Sequence, residues 1–186
     1  MTNNYREDKI YSKDDSYNNN LYTRESHNCY TYFLNLKSSR AFNTCKHDFK
    51  TAHICRRPQP GYAAQLPRLN RRDYTCNTMM KRTLKDNKNL FKTTKKSCPK
   101  SHYKGALVVA PYRDFHYYRL NDDGVWTHKP GYKPSTNVDS DKMPITNPEK
   151  ANRNYGALNY SDFCGYLCVP RSRTKKTMKM LKHTKH

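Results

Sequence analysis

The stretch DFHYYRLNDDGVWTHKPG, Asp114 to Gly131, decides how the rest of this chain is read. Two hydrophobic runs, FHYYRL and GVWTHK, flank the turn signal Asn121-Asp122-Asp123-Gly124, so the segment is expected to form a β-hairpin. Along its first strand the side-chain period of two puts His116, Tyr118 and Leu120 on one face and Phe115, Tyr117 and Arg119 on the other. The second strand carries the chain's only tryptophan, Trp126, and ends near His128.

The neighbouring segments extend a sheet. GALVVAP, from Gly105, is the short continuous apolar run of a central strand, and FCGYLCVP, Phe163 to Pro170, is a last short strand. Between them, the Pro-, Asn- and Asp-rich segment Pro130 to Asn154 is a loop. Upstream the pattern is helical. Ser26 is positioned as an N-cap, Cys29, Phe33 and Leu36 follow at helical spacing, and Tyr30 and Leu34 widen the stripe. Cys29 therefore belongs in the first turn of a helix. Asp73 is the expected cap of a second helix, YTCNTMMKRTLKDN, whose Cys76, Met79, Met80, Thr83 and Leu84 form an apolar face. The intervening FNTCKHDFKTAHICRRPQPGYAAQLPRLN, with Pro58, Pro60, Gly61 and Pro67, reads as a long loop with turns. Helix, loop, helix and then three or four strands, with no internal repeat, define an α+β chain.

The 186 residues suit one domain. With 34% hydrophobic residues and a mean hydropathy of -1.17, burial must be concentrated in a few segments. The expected division is a flexible polar arm over 1–25, a domain over 26–170 and a basic tail over 171–186. That tail, RSRTKKTMKMLKHTKH, holds seven Lys/Arg and no acid. It is either a solvated disordered end or an arm for nonspecific nucleic acid. The formal charge of +21, from 36 Lys+Arg against 15 Asp+Glu, favours polyanionic partners, because neutralised phosphates release counterions. Tyrosines interleaved with lysines suit stacking on single strands, although no recognised nucleic-acid-binding motif is present.

No stretch approaches the roughly 18 apolar residues of a membrane span, and the polar N-terminus has no signal-peptide apolar region. A reducing cytosol is the expected setting. Seven cysteines, an odd number, are accordingly read as thiols or ligands before disulfides. Cys164 with Cys168 is the pair expected if the chain ends in an extracellular particle.

A cysteine on an early helix, a histidine on a later strand and a polar residue to orient the ring are the parts of a thiol hydrolase. Cys29 is the expected nucleophile, its thiol lowered in pKa by the helix N-terminus and a nearby imidazolium, and His116 is the expected base. His128 is an alternative base. Asp139, Asn137 and Asp114 are candidates for the third group, with Asp139 taken as the third member. Gln59, Gln65 or backbone N–H groups would supply an oxyanion donor. Trp126 and the tyrosines around it, Tyr118 among them, would fill the core or wall a groove for an extended peptide. A rival use of thiols is structural zinc: Cys45, His47, His53 and Cys55 form C-x-H-x5-H-x-C, although the spacing is not that of a familiar zinc finger. No other cofactor is expected.

The motifs NCYTYFLN, PQPGYA, CPKSHYKGALVVAP, DFHYYR, WTHKPG and FCGYLCVP resemble a little-characterised family of large DNA viruses and bacteria, over roughly Asn28 to Pro170. In order and layout the chain also resembles the papain-like fold of bacterial cell-wall amidases and peptidases. The resemblance implies a Cys-bearing helix packed on a small antiparallel sheet bearing His, with Cys29 and His116 as the motif positions. CKHDFKTAHIC stands out as an insertion relative to the shorter bacterial members. Two functions follow as expectations. One is a papain-like cysteine hydrolase of a peptide or protein amide bond. The other is a non-enzymatic virion component, a minor capsid or core protein contacting other virion proteins and nucleic acid, in the virion or host cytoplasm.

Overall fold

The computed structural model describes residues 17–53 and 55–179. At its centre is an antiparallel sheet of five strands, β1 Phe91–Thr93, β2 His102–Ala110, β3 Asp114–Leu120, β4 Trp126–His128 and β5 Asp162–Pro170, in the order β1-β5-β2-β3-β4. Around it lie α1 Leu21–Ser26, α2 Cys29–Phe33, α3 Ser39–Ala52 and α4 Cys76–Asp86, with short 3-10 turns at Arg71–Asp73 and Arg173–Lys175. The chain is α+β, as its pattern indicates.

The hairpin forms where expected, with Tyr118 opposite His128 and Leu120 opposite Trp126. Gly124 closes its turn at φ +83, a conformation that favours glycine. Side-chain alternation then divides the core in two. Phe115 and Tyr117 face α2 and α4, packing with Phe33, Met79 and Leu107. Tyr118 faces the opposite way, with Val108, Trp126 and loop residues Ile145 and Tyr160. β2, central in the sheet, is buried on both faces, as a continuous apolar run requires.

The helical part departs from the pattern. α2 has only five residues and is capped by Asn28, whose side chain accepts from Thr31 N–H at 3.3 Å. Ser26 instead ends α1, and Asn35 at φ +48 turns the chain before Leu36. So short a helix is held by packing: the Phe33 ring lies on Gly105, where a Cβ would come within 2.6 Å of the ring's Cδ2. α3 occupies sequence read as loop. Its polar composition hid it, but Ser38 caps it by accepting from Ala41 N–H. α4 begins after Thr75 rather than Asp73, which closes a capping box with Asn70 one turn earlier. From α4, Asp86 accepts from Gly61 N–H and Ala64 N–H, and Arg82 donates to the Pro60 and Pro67 carbonyls. These four bonds fix the PQPGYA loop against the helix.

Six cysteines form three disulfides, Cys45–Cys55, Cys76–Cys164 and Cys98–Cys168, and Cys29 is free. This overturns the reading of the thiols as reduced, since three structural bridges belong to an oxidising compartment rather than a cytosol. It also overturns the pairing of Cys164 with Cys168. Four residues of strand span roughly 13 Å, far beyond the Cα separation a bridge tolerates. Cys164 is instead the extra residue of a bulge between Leu107 and Val108, and Gly165 beside it takes φ +120. The bulge turns its thiol toward α4. Two of the four residues of the zinc reading, Cys45 and Cys55, bond each other. His47 is exposed beside Asp48, and His53 is the left-handed C-cap of α3. Among the described residues no group of three or more His, Cys, Asp or Glu is placed to hold a metal.

Both domain boundaries move outward. Tyr17 is fully buried against Tyr32, and α1 packs on α3, so the domain includes residues assigned to the arm. Residues 1–16 lie outside the described residues. At the other end Arg171 pairs with Asp122 at 2.6 Å, Thr177 N–H donates to Asn87 at 2.7 Å, and Met178 packs on the core. The stretch 180–186 lies outside the described residues. Among the described residues no helix is long and apolar enough to cross a membrane.

Candidate active site

Cys29 opens α2 at the uncovered edge of β3. β4 pairs with β3 only from Tyr118 onward, so the backbone of Phe115 is left for another partner. The Cys29 thiol supplies it, donating to the Phe115 carbonyl at 3.9 Å. This geometry corrects one expectation. α2 packs on the Phe115/Tyr117 face, whereas His116 belongs to the opposite face, so Cys29 and His116 approach one cleft from different sides of the strand and do not face each other across the sheet. Both line a cleft of about 130 Å³ with Arg57, Gln59, Asp114 and Tyr160. Asn28 holds the helix end to the cleft wall by donating from Nδ2 to the Pro58 carbonyl at 2.8 Å.

A larger cavity of about 350 Å³ adjoins it and shares Asp114, His116, Gly131 and Tyr160. Its mouth carries the exposed Tyr132 and Tyr155. Trp126 and Tyr118 do not wall it: both are buried in the second core.

The histidines form a chain of hydrogen bonds whose proton positions are dictated. His128 Nε2 lies 3.0 Å from the Val138 carbonyl, which can only accept, so Nε2 carries the proton. Burial lowers His128 to about 4, leaving it neutral with Nδ1 as an acceptor. His116 Nε2, 2.7 Å away, must then donate to it. Burial and the neighbouring His128 also hold His116 well below the usual imidazole range, so its Nδ1 is a bare lone pair. His128 is thus the group that orients His116.

Asp139 does not take that place. Its carboxylate accepts from the backbone N–H groups of Asp141 at 2.9 Å, Met143 at 3.1 Å and Asn152 at 3.0 Å. It shapes the loop that presents the Val138 carbonyl, and its charge opposes part of the lowering of His128 by burial. Asn137 contributes its carbonyl to Ile145 N–H. Asp114, the remaining candidate, lines the cleft. Gln65 is not among the cleft-lining residues, whereas Gln59 is, with a buried Oε1 that makes no hydrogen bond.

The thiol is not held as a thiolate. Burial first, and the Asp114 carboxylate second, push Cys29 up, outweighing backbone hydrogen bonds from Tyr117 and Tyr30 and the charge of Lys129. Lys129 was not singled out by the sequence. It is fully buried, donates at 2.7 Å to both the Arg24 and Gly131 carbonyls, and is lowered by burial to about 7. It fastens the WTHKPG turn to α1. The signal was present in a lysine between two strand-like residues and Pro-Gly, but a charge there ordinarily means solvent.

No family model matches the chain, and no solved structure matches it. Over 69 residues it is 46% identical to a protein described as insoluble matrix shell protein 1, from Ruditapes philippinarum. The match covers 37% of this chain and 44% of that protein, less than half of either.

Proposed function

We propose that the chain is a cysteine hydrolase of amide bonds with a papain-like layout, in which Cys29 is the nucleophile, His116 the base and His128 the orienting group. The observation that carries this reading is the tautomer chain from Val138 through His128 to His116, which ends in a free lone pair lining the same cleft as the only unpaired cysteine among the described residues. Because the resting thiol is protonated, the chemistry begins from a neutral pair. His116 Nδ1 takes the thiol proton as sulfur attacks the carbonyl carbon, and His128 Nδ1 accepts the Nε2–H bond that strengthens as His116 becomes cationic. The Gln59 side-chain amide, which lines the same cleft, is our candidate donor to the developing oxyanion. The same proton then goes to the leaving amine, and water hydrolyses the thioester.

Iodoacetamide under native conditions should add a single carbamidomethyl group, at Cys29, more slowly in His116→Gln. Cleavage of a peptide library should vanish in Cys29→Ala. Retained cleavage in that variant sinks the proposal.

A second reading, a non-enzymatic structural component, is favoured by the partial match to the shell protein, described as an insoluble matrix protein. Three disulfides suit an extracellular matrix or a particle. The virion setting and the viral and bacterial resemblance belong to this proposal also. Quantitative proteomics of purified particles or matrix decides it: high copy number with no loss of assembly in Cys29→Ala favours structure over catalysis.

A further inference from the structure

Asp114 is a half-buried carboxylate that the hydrolytic chemistry does not use. It sits at the seam of the two cavities, where β3 begins. Its Oδ1 accepts from Phe115 N–H at 2.8 Å, and its Oδ2 from the Tyr160 hydroxyl at 2.8 Å. Both donors are neutral. A carboxylate can accept about four hydrogen bonds, so acceptor capacity remains for whatever enters the cleft.

What is absent from its surroundings is unusual for this chain. Cations outnumber acids 36 to 15, and Asp48, Glu25 and Asp122 are each paired with an arginine. Asp114 has no salt-bridge partner among the described residues, although the charge of Arg57 reaches it and the exposed Lys133 lines the larger cavity with it. Arg57, the cation lining the same small cavity, is engaged elsewhere: its Nε donates to the Glu25 carbonyl at 2.9 Å, and its guanidinium lies over the Tyr132 ring. Placing an unpaired carboxylate beside a nucleophilic thiol opposes ionisation of that thiol, a cost that pairing or replacement would remove. Asp114 also does not position the base, whose Nε2 is committed to His128.

We propose that Asp114 is a specificity-determining residue, binding an ammonium or guanidinium group of the substrate at the junction of the two cavities. This rests on the hydrolase reading for its consequence but not for the binding itself. A peptide bearing a lysine or arginine side chain, or a free amino terminus, supplies the partner that the fold withholds. The groups facing Asp114 are Cys29 from α2, Arg57 and Tyr74 from the preceding loops, His116 on its own strand and Tyr160 from the loop before β5. A substrate cation among them cancels the carboxylate's field at the thiol, so binding favours the proton transfer that starts attack. Substrate selection and activation are then one event. Tyr155, exposed at the larger cavity, offers a π face to the same cation on its way in.

The test uses four dipeptide chloromethyl ketones, Ala-Lys and Ala-norleucine, each with a free or acetylated amino terminus, with Cys29 modification followed by intact mass. Reagents carrying a cation should modify wild-type protein at least tenfold faster than acetyl-Ala-norleucine, and comparison of the two cationic positions separates side chain from terminus. In Asp114→Asn the preference should collapse while the neutral reagent reacts as fast or faster. Tyr160→Phe, which frees Oδ2, should keep the preference. A preference that survives in Asp114→Asn, or none in wild type, overturns the proposal. Binding of lysine amide to Cys29→Ser by calorimetry is independent of the thiol. Saturable binding lost in Asp114→Asn supports the site even if Cys29 proves inert, an outcome that would reject the hydrolase alone; no binding rejects the site.

Discussion

At the residue scale, one imidazole is set by another. In the proposed hydrolase His116 can serve as base only while His128 accepts from its Nε2, because without that acceptor the ring loses both its fixed tautomer and the support for its cation. His128→Ala should lower turnover on the order of 10²-fold with little change in KM, and His128→Gln, which restores an acceptor, should recover part of it. Thermal unfolding must be followed alongside, since an unmet buried Nε2–H costs about 1–3 kcal/mol. Asp139→Ala should behave differently, because it strands three backbone donors. Its main effect should be a loss of about 2 kcal/mol or more in stability, with the pH profile of Cys29 alkylation retained. An altered profile would return Asp139 to the imidazole chain. The pair Cys29 and His116 could be picked out from the sequence by residue type and order. What alternation could not give was how they come to line one cleft: His116 faces away from α2, and the uncovered edge of β3, where β4 stops at three residues, gives the thiol its place against the Phe115 carbonyl. Asp139 and His128 were both visible as polar residues after the base, but separating them required knowing which carbonyl His128 already served.

At the element scale, the strands were legible because period two and a glycine-bearing turn are local signals, and β2 because a central strand is apolar throughout. α2 and α3 were not. α2 is five residues held by Phe33 on Gly105, a contact between positions distant in sequence, and α3 is a polar helix pinned by α1 and the Cys45–Cys55 bridge. Gly105→Ala should therefore destabilise the fold by about 1–3 kcal/mol, by driving a methyl into the Phe33 ring, and should lower Cys29 reactivity with it. Urea unfolding and iodoacetamide labelling measure the two effects. Removing 171–186 should lower the unfolding midpoint, because Lys176, Thr177 and Met178 go with it, whereas removing 180–186 alone spares those contacts. If the tail anchors nucleic acid, both truncations should reduce binding to a nonspecific duplex and flatten its salt dependence by roughly 0.9 for each phosphate no longer neutralised. Equal binding by all three proteins would remove the tail from that role.

At the scale of the whole molecule, an extremely basic chain keeps several imidazoles neutral in its interior, and this links its stability to pH. Burial lowers His27 and His128 from 6.5 to about 4, and burial together with His128 holds His116 well below the usual imidazole range. His27 lies outside the cleft, accepting from Ser38 N–H at Nε2 and donating from Nδ1 to the Thr23 carbonyl. All three are depressed in the folded state. Between about 4 and 6.5 the unfolded chain therefore binds protons that the folded one refuses, so stability present above 6.5 is lost as pH falls through that window. Asp86 and Asp114, raised by burial, have the opposite sign but change over nearer the carboxylate range. Lys129, lowered to about 7, has the same sign as the histidines in a higher window, between 7 and 10.5, and adds nothing to the loss below neutrality. With the disulfides intact, the urea midpoint should thus fall from pH 7 to pH 5, by an amount on the order of 1–2 kcal/mol per buried histidine. His27→Gln, which keeps an acceptor and a donor, should shallow the slope by about one proton. A midpoint that stays level or rises toward pH 5 would mean that these imidazoles accept protons in the folded state, and the neutral tautomer chain on which the proposed base role of His116 rests would fall with it.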